Sequence, residues 1–284
     1  MAELLKGAPV ARAIGERLAP RIKEIEGCGV TPTLAILRVG ERSDDLAYER
    51  GAIKRCEGLG IKVRSFVLPA DCNQGELLAT IGVINADPAL HGCLMFRPLP
   101  SQLDEGAACR ALDPAKDVDG ITQGSLYGVF ANQQVGFPPC TAAAVIELLD
   151  YYDQGIEGAN VAVIGRSLVI GKPVSMMLQA RNATVTMCHT RTRHLANVCA
   201  AADILVVAAG HAGTVRMAHV GPDQTVVDVG INWDEDAEKL VGDVAFDEVE
   251  PVVRAVTPVP GGVGSVTTAV LAQHVVEAAE RSVA

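Results

Sequence analysis

The sequence predicts an α/β protein with two domains, an N-terminal α/β substrate domain and a Rossmann-type nucleotide-binding domain. Three observations carry that prediction. Short apolar runs alternate with segments of helical spacing over the first hundred residues. A second series of the same kind begins near residue 160. A stretch rich in proline and glycine separates the two. The chain has 284 residues, enough for two domains of about 100–200 residues each.

The start, MAELLKGAPVARAIGERL, reads as an amphipathic helix with charges throughout, unlike the apolar segment of a secretion signal. Residues 33–39 (TLAILRV) read as a buried strand closed by Gly40. Residues 44–58 have helical spacing, with Leu46, Ala47, Ile53 and Cys56 at apolar positions and Gly60 as the stop. Residues 61–68 alternate like a strand, 75–84 suit a helix, and 92–96 (GCLMF) form a short strand ended by Pro98 and Pro100. From Asp113 to Pro139 the chain reads as a long irregular stretch, and Thr141 then reads as the cap of a helix. In the second series, residues 160–164 form a strand, a glycine turn follows, and a helix runs from Gly171 to Arg181. Further strands are expected at 183–188, 203–209 and 225–230, and a closing helix from Thr267 to Arg281.

Composition excludes several classes of function. Hydrophobic residues make up 49% and charged residues 20% of the chain, with a formal net charge of -10. That balance supports real cores and argues against sequence-independent nucleic-acid binding. No run of about 18 apolar residues occurs, so no membrane span is expected. The eight cysteines form no Cys-x-x-Cys pair, and no metal site is expected; His189, His211 and His274 have no ligand cluster around them in the sequence. Without a secretory signal a disulfide framework is not expected either, and the expected location is the cytoplasm.

Gly165 to Pro173 (GRSLVIGKP) sits between a strand and a helix. Glycine there permits a tight turn and the close approach of a phosphate, and the helix start beyond it offers unpaired N–H groups. The spacing is not G-x-G-x-x-G, and a plain connection would look similar. NAD-binding chains often carry an acid at the end of the second strand. Here that strand ends Cys188-His189-Thr190-Arg191-Thr192-Arg193. Two arginines and hydroxyls suit a 2′-phosphate, so NADP is preferred over NAD; solvated surface arginines are the plain alternative. The loop Thr257-Pro258-Val259-Pro260-Gly261-Gly262-Val263-Gly264 has almost no polar side chains and suits close backbone approach to a flat ligand.

With these residues assembled, the chain resembles the methylenetetrahydrofolate dehydrogenase/cyclohydrolase family. The pieces are KDVDG at 116–120, PPCT at 138–141, VIGRSLVIGKP at 163–173, VVDVGIN at 226–232, VGDV at 241–244 and TPVPGGVG at 257–264. The resemblance implies a catalytic, folate-binding domain of residues 1–139 and 266–284, and an NAD(P)-binding Rossmann domain of residues 140–265. It implies a folate in a cleft between them, oxidation of 5,10-methylenetetrahydrofolate with NADP, and a homodimer. Tyr48, Asp119 and Pro260-Gly261-Gly262 are the implied folate contacts. Gly165, Arg166, Ser167, Gly171, Thr190, Arg191 and Ile231 are the implied nucleotide contacts.

The resemblance breaks at the catalytic groups. The family pattern is Ser-x-x-Tyr-x-x-x-Lys, and Gly40, Tyr48, Cys56, Glu57, Gly60 and Ile61 hold the register. The serine position is then Asp45 and the lysine position Ala52. Lys54 lies two residues on, about 200° around a helix. The glutamine that partners the lysine is Phe96, followed by Arg97, and Ser265-Val266 stand where the family has Pro-Met. Hydride transfer needs positioning and no protein base. Hydrolysis of the methenyl cation needs proton transfer, which alanine and phenylalanine cannot provide. The expected activity is therefore a dehydrogenase without cyclohydrolase. Asp45 could stabilise developing positive charge or simply cap its helix. Two rival readings are a non-catalytic folate/NADP-binding homologue and a dehydrogenase for another one-carbon substrate.

Overall fold

A computed structural model of the chain describes every residue except Asp236 and Ala284, and of Asp44 the backbone only. It divides into two compact units: Ala13–Cys140 with Thr268–Ala284, and Met1–Arg12 with Thr141–Thr267.

The chain opens with a two-residue strand, β1 (Glu3–Leu4), and helix α1 (Gly7–Gly27). The expected N-terminal helix therefore starts later than the sequence suggests. Glu3 N–H donates to Arg254 O at 2.8 Å and Leu5 N–H to Val256 O at 2.9 Å, so an exposed strand edge recruits these residues.

The first unit holds a three-stranded parallel sheet in the order β3-β2-β4. Strand β2 (Thr33–Val39) is central and buried along its whole length, which explains its unbroken apolar run. Helix α2 (Ser43–Gly58) follows, then edge strand β3 (Lys62–Leu68), helix α3 (Gln74–Ala86) and strand β4 (Gly92–Met95). Asn73 and Glu76 form a capping box at the start of α3. Leu37, Leu77, Ile81, Ile84 and Met95 fill the core beneath.

The stretch 113–139 is not irregular throughout. After helix α4 (Glu105–Ala111) come a 3₁₀ turn (Pro114–Lys116) and helix α5 (Gln123–Ala131). Thr122 Oγ1 accepts from Ser125 N–H at 3.1 Å and starts α5; Asn132, left-handed at φ 51°, ends it. The glycines that suggest a loop are needed for contact: a Cβ at Gly128 would meet the carbonyl of Val135, and one at Gly124 the ring of Pro114. Helix α6 (Cys140–Tyr151) begins at Cys140, so Thr141 lies inside its first turn and is not its cap.

The second unit carries a six-stranded parallel sheet, β1-β11-β8-β7-β5-β6. Its elements are β5 (Asn160–Ile164), α7 (Gly171–Ala180), β6 (Thr184–Cys188), α8 (Leu195–Ala200), β7 (Ile204–Val207) and β8 (Thr225–Asp228). A hairpin, β9 (Asn232–Asp234) with β10 (Lys239–Val241), precedes α9 (Phe246–Val249) and β11 (Ala255–Val256). Strands β7 and β8 are fully buried, as a parallel sheet covered on both faces requires. Chain order reverses at β5, which lies between β6 and β7. In open α/β sheets ligands bind at the C-terminal strand ends beside such a switch point. Helix α10 (Gly264–Val283) closes the chain. No helix among the described residues is long and apolar enough to cross a membrane.

Candidate functional site

In the first unit the candidate residues lie at the C-terminal ends of β2 and β4. Helix α2 leaves β2 after Gly40 and carries Asp45, Tyr48 and Ala52 at spacings of three and four, hence along one stripe. Phe96 directly follows β4, where its N–H donates to Leu37 O at 2.9 Å. Its ring meets the Tyr48 ring edge to face, with centroids 6.0 Å apart at 80°. Ala52 is fully buried and Phe96 is buried, whereas Lys54 is exposed. The lysine two positions on therefore does not occupy Ala52's place.

Asp119 is half-buried, and its carboxyl is raised to about 6. Burial is the main cause and the charge of Asp117 adds to it; Arg97 and a hydrogen bond from Cys140 oppose it. Tyr48 feels both burial and the charge of Asp119, which push its hydroxyl well above the ordinary range and keep it protonated. Tyr48, Phe96 and Asp119 thus come together. Asp45 is buried, but it does not cap α2: the helix starts at Ser43, and the Asp45 carboxylate lies 4.0 Å from Arg42 Nε. Arg97 pairs with Glu105 at 3.4 Å.

Sequence reasoning passed over several polar groups that hold this site. Asp117 is fully buried and accepts from Ile121 N–H at 3.0 Å and Thr122 N–H at 2.7 Å, which shapes the turn bearing Asp119. Under α2, Glu49 pairs with Arg38 at 2.9 Å, and both are buried. The first aspartate of KDVDG was a visible signal; the Arg38–Glu49 pair had none, because its residues belong to different elements. A cavity of about 920 Å³ opens at the opposite strand ends, beside Thr33, Lys62 and His91, and none of the candidate residues line it.

In the second unit Gly165 follows β5 with φ at 135°, and a Cβ there would strike the carbonyl of Ala208. A Cβ at Gly171 would strike the carbonyl of Gly165. Both positions therefore require glycine. The loop between them is exposed at Arg166, Ser167, Leu168 and Val169. Ser167 Oγ accepts from Ile170 N–H at 3.1 Å, and the start of α7 has no side-chain cap. Gly165 N–H donates to Cys188 O at 3.0 Å, so the loop adjoins the turn carrying Thr190 and Arg191. Arg166 and Arg191 are exposed and make no ion pair among the described residues.

Pro260, Gly261, Gly262 and Ile231 line a cavity of about 200 Å³ together with Asp228 and Ser265. Gly7 N–H holds the loop through Gly261 O at 2.8 Å. Beneath it two buried aspartates tie the neighbouring turns. Asp228 accepts from the N–H groups of Gly230, Asp243 and Val244 at 2.9–3.0 Å. Asp243 accepts from Gly210 N–H at 2.8 Å and Asn232 Nδ2 at 2.9 Å. Gly230 and Gly242 pack so closely on these carboxylates that a Cβ would overlap them. This network accounts for the VVDVGIN and VGDV motifs. Among the described residues no three His, Cys, Asp or Glu side chains converge as a metal site.

Comparison with known proteins agrees with this arrangement. The chain matches the family model "Tetrahydrofolate dehydrogenase/cyclohydrolase, catalytic domain" over residues 5–119, and the NAD(P)-binding domain of the same family over residues 139–283. It is 51% identical to the "Bifunctional protein FolD" of Carboxydothermus hydrogenoformans over 281 residues, 99% of this chain and 98% of the relative. The crystal structure of bifunctional FolD, methylenetetrahydrofolate dehydrogenase/cyclohydrolase, from Campylobacter jejuni superposes with a TM-score of 0.95 at 36% identity, covering 99% of each chain. The enzyme from Trypanosoma brucei, solved with NADP cofactor and inhibitor, gives 0.92 at 34% identity, covering 99% of this chain and 98% of that one. With both family models matched in order and relatives aligned along the whole length, the chain belongs to the tetrahydrofolate dehydrogenase/cyclohydrolase family.

Proposed function

We propose that the chain oxidises 5,10-methylenetetrahydrofolate to 5,10-methenyltetrahydrofolate with NADP as hydride acceptor, and that it lacks the cyclohydrolase step. The first half is supported by the family and by the NADP bound to the Trypanosoma brucei relative. The second half departs from the bifunctional relatives and rests on one observation. The α2 position one turn beyond Tyr48 is a fully buried alanine, and the residue facing Tyr48 from β4 is Phe96.

The chain's own residues divide the work as follows. The Asp119 carboxylate accepts two parallel hydrogen bonds from the amino-pyrimidine edge of the folate. Tyr48, held protonated, borders the pterin and donates a hydrogen bond. Phe96 supplies an apolar wall that excludes water, and Asp45 favours the positive charge that develops as hydride leaves. NADP accepts the hydride, and the folate nitrogen lone pairs stabilise the cation left behind, so no protein base is consumed. Ala52 and Phe96 cannot then carry a proton to or from water.

The nucleotide fits the loop after β5. Gly165 and Gly171 leave room for a diphosphate, the start of α7 has no side-chain cap and presents the positive end of the helix, and Ser167 offers a hydroxyl. Arg166 and Arg191, with Thr190, suit a 2′-phosphate, and β6 ends in no acid. Ile231 and the Pro260-Gly261-Gly262 loop border the reacting rings. In this reading residues 1–139 with 266–284 bind folate, residues 140–265 bind nucleotide, and the protein acts as a cytoplasmic homodimer.

Following reduced cofactor and methenyl product together tests the reading. Methylenetetrahydrofolate with NADP should give both in equal amounts, and with NAD more slowly. Absence of both products with either nucleotide overturns it.

A further inference from the structure

His274 is 3% exposed, near the middle of α10, and takes no part in the chemistry above. Its Nδ1 lies 2.8 Å from the carbonyl oxygen of Val118. A carbonyl only accepts, so Nδ1 carries the proton and the ring is the Nδ1–H tautomer. Burial pushes its pKa down, and it stays neutral. The Phe137 ring packs on the imidazole with centroids 5.1 Å apart, and Arg281 covers the other ring at 4.3 Å from its centroid. Glu277 is the charged neighbour that favours the imidazolium, with Asp117; Arg281 opposes it.

The carbonyl that His274 holds belongs to the peptide unit from which Asp119 extends. A second group reaches the same oxygen: Cys140 Sγ is 3.1 Å from Val118 O. A carbonyl oxygen has two lone pairs and accepts from both groups at once. Cys140 Sγ is 3.6 Å from His274 Nδ1, whose proton is already given to Val118. Burial holds the thiol well above its ordinary pKa, so it remains a donor. Imidazole and thiol together fix the carbonyl that precedes Asp119.

We propose that His274 is a positioning residue for Asp119, the carboxylate assigned to the folate: with Cys140 on the same oxygen, it fixes the Val118–Asp119 peptide. This rests on the reading that Asp119 binds the folate. Loss of the N–H at position 274 leaves the carbonyl to the weaker thiol donor alone and the backbone at Asp119 looser. Folate binding then suffers, while nucleotide binding does not.

The test compares H274L, which removes the donor at similar volume, with H274N, whose amide nitrogen falls close to the place of Nδ1 and keeps an N–H. C140A is measured alongside, and D119A is the control, all in the full-length protein. The expected result is a rise of about tenfold or more in KM for methylenetetrahydrofolate for H274L, with KM for NADP unchanged and H274N within about threefold of the parent. C140A removes the second donor to Val118 O and should raise KM for methylenetetrahydrofolate more than H274N does, with KM for NADP unchanged. Should H274L fail to fold, C140A and H274N carry the test through the same split between the two KM values. An unchanged folate KM in C140A, equal folate defects in H274N and H274L, or an equal rise in both KM values overturns the positioning role. If D119A itself binds folate normally, the underlying reading fails instead.

Discussion

At the scale of single residues the account stands on charge and its surroundings. Arg166 and Arg191 are exposed cations beside the loop expected to take the nucleotide. A hydrogen bond to a charged group contributes about 1.5–3 kcal/mol, so Arg166→Ala should raise KM for NADP by roughly tenfold or more and leave KM for NAD nearly unchanged. Equal effects on both nucleotides, read from initial rates, would reject the 2′-phosphate contact. Asp119 titrates near 6, within reach of ordinary buffers. In the proposed role the ionised form accepts from the folate, so the sign is set: affinity is expected to be level above about pH 7 and to fall as pH drops through 6. Asp119→Ala should bind folate weakly at every pH and bind NADP as the parent does, by calorimetry. Such titrations were not legible in the sequence. KDVDG displays two aspartates, but which one is buried as a backbone acceptor and which is left for a ligand depends on how the turn after Lys116 folds. His274 was likewise visible only as a lone histidine, since its partner Val118 O is 156 residues away in sequence.

At the scale of elements, helical register decides the chemistry. Ala52 is buried one turn from Tyr48 while Lys54 is exposed, as two residues and about 200° of rotation require. Lys54→Ala should leave dehydrogenase turnover within about twofold of the parent; a loss beyond tenfold would show that Lys54 serves the reaction. The turns after β8 hang on Asp228, whose three N–H partners lose their acceptor in Asp228→Ala. Leaving buried donors unpaired costs about 1–3 kcal/mol each. Thermal or urea unfolding should register a loss of about 3 kcal/mol or more, and a loss below 1 kcal/mol would contradict the network. Elements were legible where burial and period agree. All seven residues of β2 are buried, so its apolar run was unambiguous. Strands β1 and β11 have two residues each and exist through pairing, β1 at the sheet edge on β11 and β11 on β8 as well, which leaves no period to read. Helix α5 was obscured because Gly124 and Gly128, breakers in isolation, are where Pro114 and Val135 pack against it.

At the scale of the whole molecule, two α/β units each present the strand ends of a parallel sheet, and the proposed function gives each a different ligand. The net charge of -10 leaves positive charge to be supplied locally, by Arg166 and Arg191 at the loop proposed for the nucleotide and Arg97 near Asp119. In the proposed function the residues at positions 45, 52 and 96 leave the dehydrogenase intact, because hydride transfer relies on positioning, the role proposed for Tyr48, Asp119 and the glycine loops. Only the hydrolytic step depends on a proton-handling side chain, and general acid–base catalysis contributes about 10²- to 10⁴-fold. The most direct measurement is therefore the decay of added 5,10-methenyltetrahydrofolate in the presence of purified protein, on a preparation that reduces NADP with the methylene substrate. The account predicts decay no faster than in buffer alone. Hydrolysis at a rate matching the dehydrogenase step would contradict it, and would mean that a group other than residues 52 and 96 moves the proton.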